Sequence, residues 1–254
     1  MRTNFFPIAF VMAFILCSPS FADLQSELEK QAPQITPYVI ARPVPLAWES
    51  SDLPEAKLWS KYAYSVINQY FDELDKAQDV QAFCPKYPEL NRDEKIMAWA
   101  DIMVGISYRE SGYDPLNRTL EEGGGIDDIT EQPVYSEGLL QLSYQDIDSN
   151  PYCLFDWEKD KTLALNDPHR TILNPYNNLY CGIRTMADLV RDNKTIIVSQ
   201  GGYWSTIQAG VVHGQLKNVE KLVKKLPFCE HHFVATPVED SLQVIKEIGK
   251  ALGD

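Results

Sequence analysis

A glutamate at the predicted end of a helix is the residue best suited to acid chemistry. Glu110 lies in the run from Tyr108 to Gly112 (YRESG), and the glycine and Pro115 predict that the helix stops there. The negative end of the helix dipole favours the neutral form of a carboxyl and so raises its pKa. A group that holds a proton near neutral pH and passes it to a leaving oxygen needs such a pKa. On its own, this position is more typical of an ordinary surface glutamate.

Two further motifs follow Glu110 and Ser111 along the chain. Residues 138–142 read Gly-Leu-Leu-Gln-Leu, and residues 178–182 read Asn-Leu-Tyr-Cys-Gly. A Glu-Ser at a helix end, then Gly-Leu-x-Gln, then Asn-Leu-x-x-Gly on a helix resembles the soluble lytic transglycosylase and goose-type lysozyme family. The resemblance covers about residues 93–212. A closer resemblance is to a lysozyme specialised for deacetylated peptidoglycan, of the kind found in predatory bacteria.

The family resemblance implies a fold and a set of site residues. The fold would be mostly α, a lysozyme-like helical domain with a small irregular or β excursion. Glu110 would be the catalytic acid that cleaves the β-1,4 bonds of peptidoglycan glycan strands. Gln141 and the backbone around Gly138 would line the sugar cleft, and Ser111 would orient nearby groups or touch the sugar. Asn178 would brace helix packing, and neither a cofactor nor a metal ion is expected.

The chain departs from the family pattern where an Ala-Tyr-Asn-x-Gly segment is usual. The nearest match is the run 202–205 (GYWS), in which Tyr203 fits the tyrosine and Trp204 replaces the asparagine. The polar contact of that asparagine with the substrate would then be lost. Trp204 would instead stack on a sugar face or pack in the core, and the sequence supports both interpretations.

The segment before Gly138 is strongly acidic, since residues 114–137 carry seven acids and the single base Arg118. An inverting hydrolase needs a second carboxylate to activate water, and Asp127, Asp128 and Glu137 are the candidates. A lytic transglycosylase needs none, because the sugar's own 6-hydroxyl attacks. Acids along a cleft would also attract amino sugars that have lost their N-acetyl groups. The alternative is a solvated acidic loop without a role.

The elements that position these motifs are predicted to be helices. Apolar residues at i, i+3 and i+4 spacing predict a helix over 58–78, and a capping box at Asn91–Glu94 opens the helix that carries Glu110. Asn174 and Pro175 open another helix. Residues 114–137 are expected to form a loop or short hairpin. Further helices are predicted over 138–147, 203–212, 215–226 and 239–252.

The first 22 residues have the composition of a secretory signal peptide. Arg2 precedes an apolar run over 5–16, and Ala22 is a small residue at the expected cleavage position. Five prolines in 23–57 predict an irregular arm, followed over 58–254 by the lysozyme-like domain with a helical C-terminal extension. The apolar run is too short for a membrane-spanning helix. A periplasmic or secreted protein without stable membrane insertion is therefore expected.

The chain after residue 22 keeps four cysteines, which are Cys84, Cys153, Cys181 and Cys229. An even number in an oxidising compartment predicts two disulfides, with three pairings open. Four buried free thiols are the alternative. The adjacent His231 and His232 suggest metal ligands, but neighbouring histidines seldom converge on one ion, so no metal site is predicted.

The formal charge of −13 argues against nucleic-acid binding through a general basic surface. The family resemblance and the signal peptide together imply a secreted glycosidase that acts on peptidoglycan, and a monomer is expected. The acidic loop slightly favours hydrolysis over lytic transglycosylation, and a preference for de-N-acetylated strands is a further hypothesis. The competing interpretations are a non-catalytic peptidoglycan-binding module on the same fold, and an inhibitor or structural protein that meets a basic partner.

Overall fold

The computed structural model describes residues 21–50, 52–198, 202–210 and 215–230, and within them the chain is mostly helical with one two-stranded antiparallel sheet. Most of the predicted signal peptide, the histidines at 231 and 232 and the predicted helix over 239–252 lie outside these residues. In chain order the elements are α1 (Phe21–Gln31), α2 (Ala56–Gln69), α3 (Phe71–Leu74), α4 (Arg92–Ser111), β1 (Arg118–Leu120), β2 (Tyr135–Glu137), α5 (Asp146–Ser149), α6 (Trp157–Asp160), α7 (Pro175–Asn193), α8 (Gln215–Val223) and α9 (Pro227–Glu230).

Helix α4 forms the centre of the core and is buried on all sides over residues 96–107. A helix that is apolar all round must be enclosed, and α2 and α8 pack against it. The predicted capping box starts α4: Asn91 Oδ1 accepts from the Glu94 N–H at 3.1 Å, and Glu94 accepts from the Asn91 N–H at 3.0 Å. Gly112, with φ 65°, ends it in the left-handed conformation that glycine favours. Glu110 therefore lies in the last turn.

Helix α7 is the second scaffold of the fold, and it packs against α1, α2 and α3. Asn174 caps it, since its Oδ1 accepts from the Tyr176 N–H at 3.0 Å, and Pro175 occupies the first helical position as predicted. The predicted helix over 58–78 is present as α2 and α3, which are separated at Tyr70.

The N-terminal arm is less irregular than its prolines predict. Its first part forms α1, because Leu28 packs into the core and its carbonyl accepts a hydrogen bond from Asn174 Nδ2 at 2.8 Å. Between α1 and α2, the described residues of the arm include the 3₁₀ turn Ala47–Ser50, whose Trp48 is fully buried. Tertiary contacts with α7 thus stabilise a helix in the arm that the local composition does not predict.

Two predicted helices near the site are replaced by tighter structures. Residues 138–142 form a turn, because Gly138 (φ 80°) and Gln141 (φ 49°) adopt left-handed conformations that a helix excludes. Helix α5 begins only at Asp146, and the predicted helix over 203–212 is reduced to the 3₁₀ turn Ser205–Ile207. The predicted hairpin is present: β1 pairs with β2, with Thr119 opposite Ser136.

The predicted disulfides are formed, and they join Cys84 to Cys229 and Cys153 to Cys181. The first fixes α9 to the segment before α4, and the second fixes the loop after α5 to α7. Two such bridges are typical of proteins outside the reducing cytoplasm. No helix among the described residues is both long enough and apolar enough to cross a membrane.

Candidate active site

A cleft of about 400 Å³ lies beside the C-terminal end of α4. Three carboxylates line it, from Glu110, Glu121 and Asp146. Within the described part of the chain, no lysine, arginine or histidine lines the cleft. The site is therefore acidic, and its charges are not neutralised by cations of its own lining.

The surroundings of Glu110 disfavour the charged form of its carboxyl. Burial raises its pKa, and the nearby negative charge of Glu121 raises the pKa further. Thr206 opposes both effects, because its Oγ1 donates a hydrogen bond to Glu110 Oε1 at 2.5 Å and so favours the carboxylate. The net pKa is above the ordinary glutamate value, and burial is the largest cause.

The hairpin brings Glu121 into the cleft through the alternation of side chains along a strand. Residues 118 and 120 share one face of β1, while 119 and 121 share the other. The Glu121 N–H continues the ladder by donating to the Val134 carbonyl at 3.0 Å. Ser136, opposite Thr119, donates its hydroxyl to the Glu121 carboxylate and also lines the cleft.

The three acids proposed from the sequence as a second carboxylate lie elsewhere. Glu137 is on the opposite face of the hairpin, buried, and its carboxylate accepts from Arg170 Nη1 at 2.6 Å. Asp127 is buried and caps its own loop, accepting from the N–H groups of residues 129 and 130. Asp128 is exposed. None of the three is among the residues that line the cleft; Glu121 is the loop carboxylate that faces Glu110.

The Gly-Leu-Leu-Gln turn is held against α7 by Asn178. Asn178 Oδ1 accepts from the Leu140 N–H at 2.8 Å, and its Nδ2 donates to the carbonyls of Glu137 and Ile172. A Cβ at position 138 would lie 2.4 Å from Asn178 Nδ2, so only glycine fits there. Asn178 thus has the bracing role that the sequence predicts, and Gly138 allows close approach.

Ser111 and Gln141 join this turn to the end of α4. The Ser111 hydroxyl lies 2.9 Å from the Leu139 carbonyl and 3.1 Å from the Ser107 carbonyl, and the side chain is buried. Ser111 is therefore positioned to orient the turn. Gln141 lines the cleft, while its Nε2 donates to the Gly138 carbonyl at 2.9 Å.

Tyr203 and Trp204 close the far side of the cleft. The Tyr203 hydroxyl donates to the Asp146 carboxylate, and burial together with the charges of Asp146 and Glu110 raises the Tyr203 pKa well above its usual value. Burial also raises the pKa of Asp146. Trp204 is 2% exposed and its Nε1 donates to the Leu140 carbonyl, so its ring belongs to the core and reaches the cleft only at its edge.

Sequence reasoning missed two cleft carboxylates, Glu121 and Asp146. The signal for Glu121 was the period of two in the hairpin, which places residues 119 and 121 on one face. Asp146 gave no local signal, because the turn before it reads as a helix. Among the described residues, no group of three or more histidine, cysteine, aspartate or glutamate side chains is arranged to hold a metal ion.

Comparisons with known proteins give a structural likeness and no family. No protein-family model and no curated protein matches the sequence. Solved structures of Bd0314 DslA, a Bdellovibrio protein, align with a TM-score of 0.61 and 26% identity, over 75% of this chain and 100% of the solved chain. Two of these structures are single Glu-to-Gln variants, and their substituted glutamates lie eleven residues apart. Glu110 and Glu121 have the same spacing.

Proposed function

We propose that this protein is a peptidoglycan glycosidase that hydrolyses β-1,4 bonds of glycan strands, with Glu110 as the general acid. The observation that carries the proposal is a half-buried glutamate with a raised pKa that shares an acidic cleft with a second glutamate. Most glycoside hydrolases use two carboxyl groups, one of which is protonated and acts as the acid. The sequence motifs around Glu110 and Gly138 resemble those of enzymes with this activity.

The two glutamates have complementary roles in the proposed reaction. Glu110 gives its proton to the glycosidic oxygen as the bond from that oxygen to C1 breaks. Glu121 takes a proton from a water molecule as the water oxygen attacks C1. Each product then carries a hydroxyl group, and exchange with solvent restores both carboxyl groups. Because Thr206 donates to the carboxylate form of Glu110, it would stabilise the charge that remains after proton transfer.

The likeness to Bd0314 DslA supports the choice of this pair. Glutamates with the spacing of Glu110 and Glu121 were the positions substituted in the solved variants of that protein. Glu110 and Glu121 both line one cleft here, and the charge of Glu121 acts on Glu110.

We further propose that the cleft prefers strands whose amino sugars have lost their N-acetyl groups. Free amino sugars are cationic, and each ammonium group can pair with a carboxylate. Glu121 and Asp146 supply such carboxylates, and among the described residues no cation of the lining competes for them. A neutral acetylated sugar would offer neither carboxylate a cationic partner. Equal rates on acetylated and deacetylated sacculi would contradict this preference.

Mass spectrometry of soluble products from native and chemically deacetylated sacculi tests the proposal. Glu110→Gln should lose about 10²- to 10⁴-fold in rate, the usual contribution of a general acid. Glu122→Gln, at an exposed neighbour of Glu121, should keep full activity. Glu121→Gln should also slow a hydrolase, but it should spare a lytic transglycosylase, which needs no second carboxylate.

The chemistry of the products separates the remaining interpretations. Reducing ends support hydrolysis, and 1,6-anhydro ends would instead identify a lytic transglycosylase. No products from either substrate, with binding to sacculi intact, would replace the proposal with a non-catalytic binding module. Full activity of Glu110→Gln would contradict the assigned acid.

A further inference from the structure

The β1–β2 hairpin, which carries Glu121 into the cleft, is a short structure that needs support from outside. The ladder between β1 and β2 contains three residue pairs. A two-stranded hairpin of this kind is at best marginally stable in water, so other contacts must fix its position. Where Glu121 lies relative to Glu110 therefore depends on what holds the hairpin.

A buried group of side chains anchors the hairpin at the end of β2. Glu137 Oε2 accepts from Arg170 Nη1 at 2.6 Å, and the Glu137 carbonyl accepts from Asn178 Nδ2 at 3.1 Å. Arg170 is 1% exposed and also donates to the Leu165 carbonyl at 2.9 Å and to the Tyr144 hydroxyl at 3.1 Å. These contacts fix β2 to α7 and to the segment before it.

Arg118 joins β1, the strand that leads to Glu121, to this anchor. It lies opposite Glu137 in the register, and its Nε forms an ion pair with Glu137 Oε1 at 3.3 Å. Its guanidinium carbon lies 3.3 Å from the centre of the Tyr135 ring, on the same face of the hairpin. Arg118 therefore contacts β2 both through charge and through an aromatic ring.

This arginine lies on the hairpin face opposite to the cleft, so it can act on the reaction only through the strand. Glu121 is three residues further along the chain, which is about 10 Å at the rise of a β-strand. A change in strand direction at Arg118 is carried over that distance, and a shift of a catalytic group by about 1 Å can cost about 10²-fold in rate. The anchor itself does not require Arg118, because Glu137 keeps Arg170 as its partner.

We propose that Arg118 is a positioning residue that sets the place of Glu121 relative to Glu110. The inference rests on the proposed function, in which Glu121 takes a proton from the attacking water. It predicts that loss of the Arg118 side chain lowers kcat through Glu121, by a larger factor than it raises KM.

Kinetics of the full chain on soluble, deacetylated glycan strands test this role. Arg118→Gln should lower kcat about ten- to a hundredfold, and Arg118→Lys should recover part of the loss because it keeps a charge beside Glu137. Arg92→Gln is the matched control, since Arg92 also lies over an aromatic ring, that of Phe71, but at the start of α4. The control should leave kcat unchanged.

A double-substitution cycle separates positioning of Glu121 from a general structural effect. In the chain that already carries Glu121→Gln, Arg118→Gln should cause no further loss of kcat, because the group that it positions is gone. The same fractional loss of kcat in both backgrounds would overturn the proposal. Full activity of Arg118→Gln would overturn it as well.

Carbon-13 NMR titration of the Glu110 carboxyl gives a readout that needs no turnover. The charge of Glu121 raises the pKa of Glu110, so Arg118→Gln should lower that pKa, because Glu121 is then no longer held near it. Removal of a cation can by itself only raise the pKa of a carboxyl, so a lowered pKa reports movement of Glu121. An unchanged or raised pKa would contradict the positioning role. Absence of turnover by the unsubstituted chain would contradict the proposed function instead, and the titration would still test whether Arg118 places Glu121 beside Glu110.

Discussion

The two faces of the β1–β2 hairpin place glutamates in opposite electrostatic surroundings. On one face, Glu137 is buried between Arg170, whose Nη1 is 2.6 Å from it, and Arg118, whose Nε is 3.3 Å from it. On the other face, Glu121 shares the cleft with Glu110, and no described cation lines that cleft. Both glutamates come from one acidic segment, and position 137 is opposite 118 in the register.

The difference shows that glutamates of one segment can have either a structural or a chemical role. The carboxylate of Glu137 pairs with two arginines and so ties the hairpin to the segment before α7. A carboxyl that is partly removed from water without a cation is harder to ionise, as the raised pKa of the half-buried Glu110 illustrates. The formal charge of the segment does not distinguish a structural glutamate from a cleft glutamate. The presence or absence of arginine partners in the folded structure does.

The largest expected effect is a loss of stability on substitution of Glu137, on the hairpin face where the arginines lie. Glu137→Gln should lower the free energy of unfolding by about 3–5 kcal/mol, because it leaves the charge of Arg170, only 1% exposed, without its carboxylate. Urea unfolding followed by circular dichroism measures the change. Glu121→Gln is the matched substitution on the other face and should change stability by about 0.5 kcal/mol or less. Similar losses of unfolding free energy for the two variants would contradict the difference between the two hairpin faces.

Asp101, a buried carboxyl earlier on α4, should make the stability of the protein depend on pH. Burial raises the pKa of Asp101 to about 7, while the backbone N–H of Ala47 and the more distant Lys225 act in the opposite direction. The unfolded chain ionises this group near pH 4. The folded state therefore binds the extra proton between about pH 4 and pH 7, and stability falls as pH rises through that window.

Asp101→Asn should remove this part of the pH dependence. The variant should gain stability relative to the unsubstituted chain as pH rises from about 4 to 7, by up to about 4 kcal/mol, since each pKa unit corresponds to about 1.4 kcal/mol. Denaturant unfolding at a series of pH values measures the gain. Asp128→Asn, at an exposed position, should show no such trend. A pH-independent difference for Asp101→Asn would mean that the buried carboxyl stays ionised.

Local signals in the sequence were sufficient for the scaffold. The capping box at Asn91 and the Asn174-Pro175 pair gave the starts of α4 and α7, since caps depend on neighbouring residues alone. Gly112 and the position of Glu110 in the last turn followed from the same rules. The roles of Asn178 and the existence of the hairpin were also predictable.

The parts of the site that sequence reasoning did not give depend on long-range geometry. The turn over 138–142 has the apolar composition of a helix, but Gly138 has a positive φ and lies too close to Asn178 for a Cβ to fit. The choice of Glu121 over Glu137 depends on register and on Arg170, which is 33 residues beyond Glu137. The disulfide partners were likewise undetermined, because spacing alone leaves three pairings.

The smallest and most specific effect concerns the proton of Glu110. Because the charge of Glu121 raises the pKa of Glu110 and the Thr206 hydroxyl lowers it, Glu121→Gln should lower that pKa and Thr206→Val should raise it. Carbon-13 NMR titration of the Glu110 carboxyl measures both shifts. Thr206→Ser keeps the hydroxyl and should leave the pKa unchanged. A general acid works only while protonated, so the high-pH limit of activity should move upward in Thr206→Val. An unchanged or raised pKa in Glu121→Gln would show that the charge of Glu121 does not act on Glu110, and the contrast between the two hairpin faces would then have no consequence for the proposed acid.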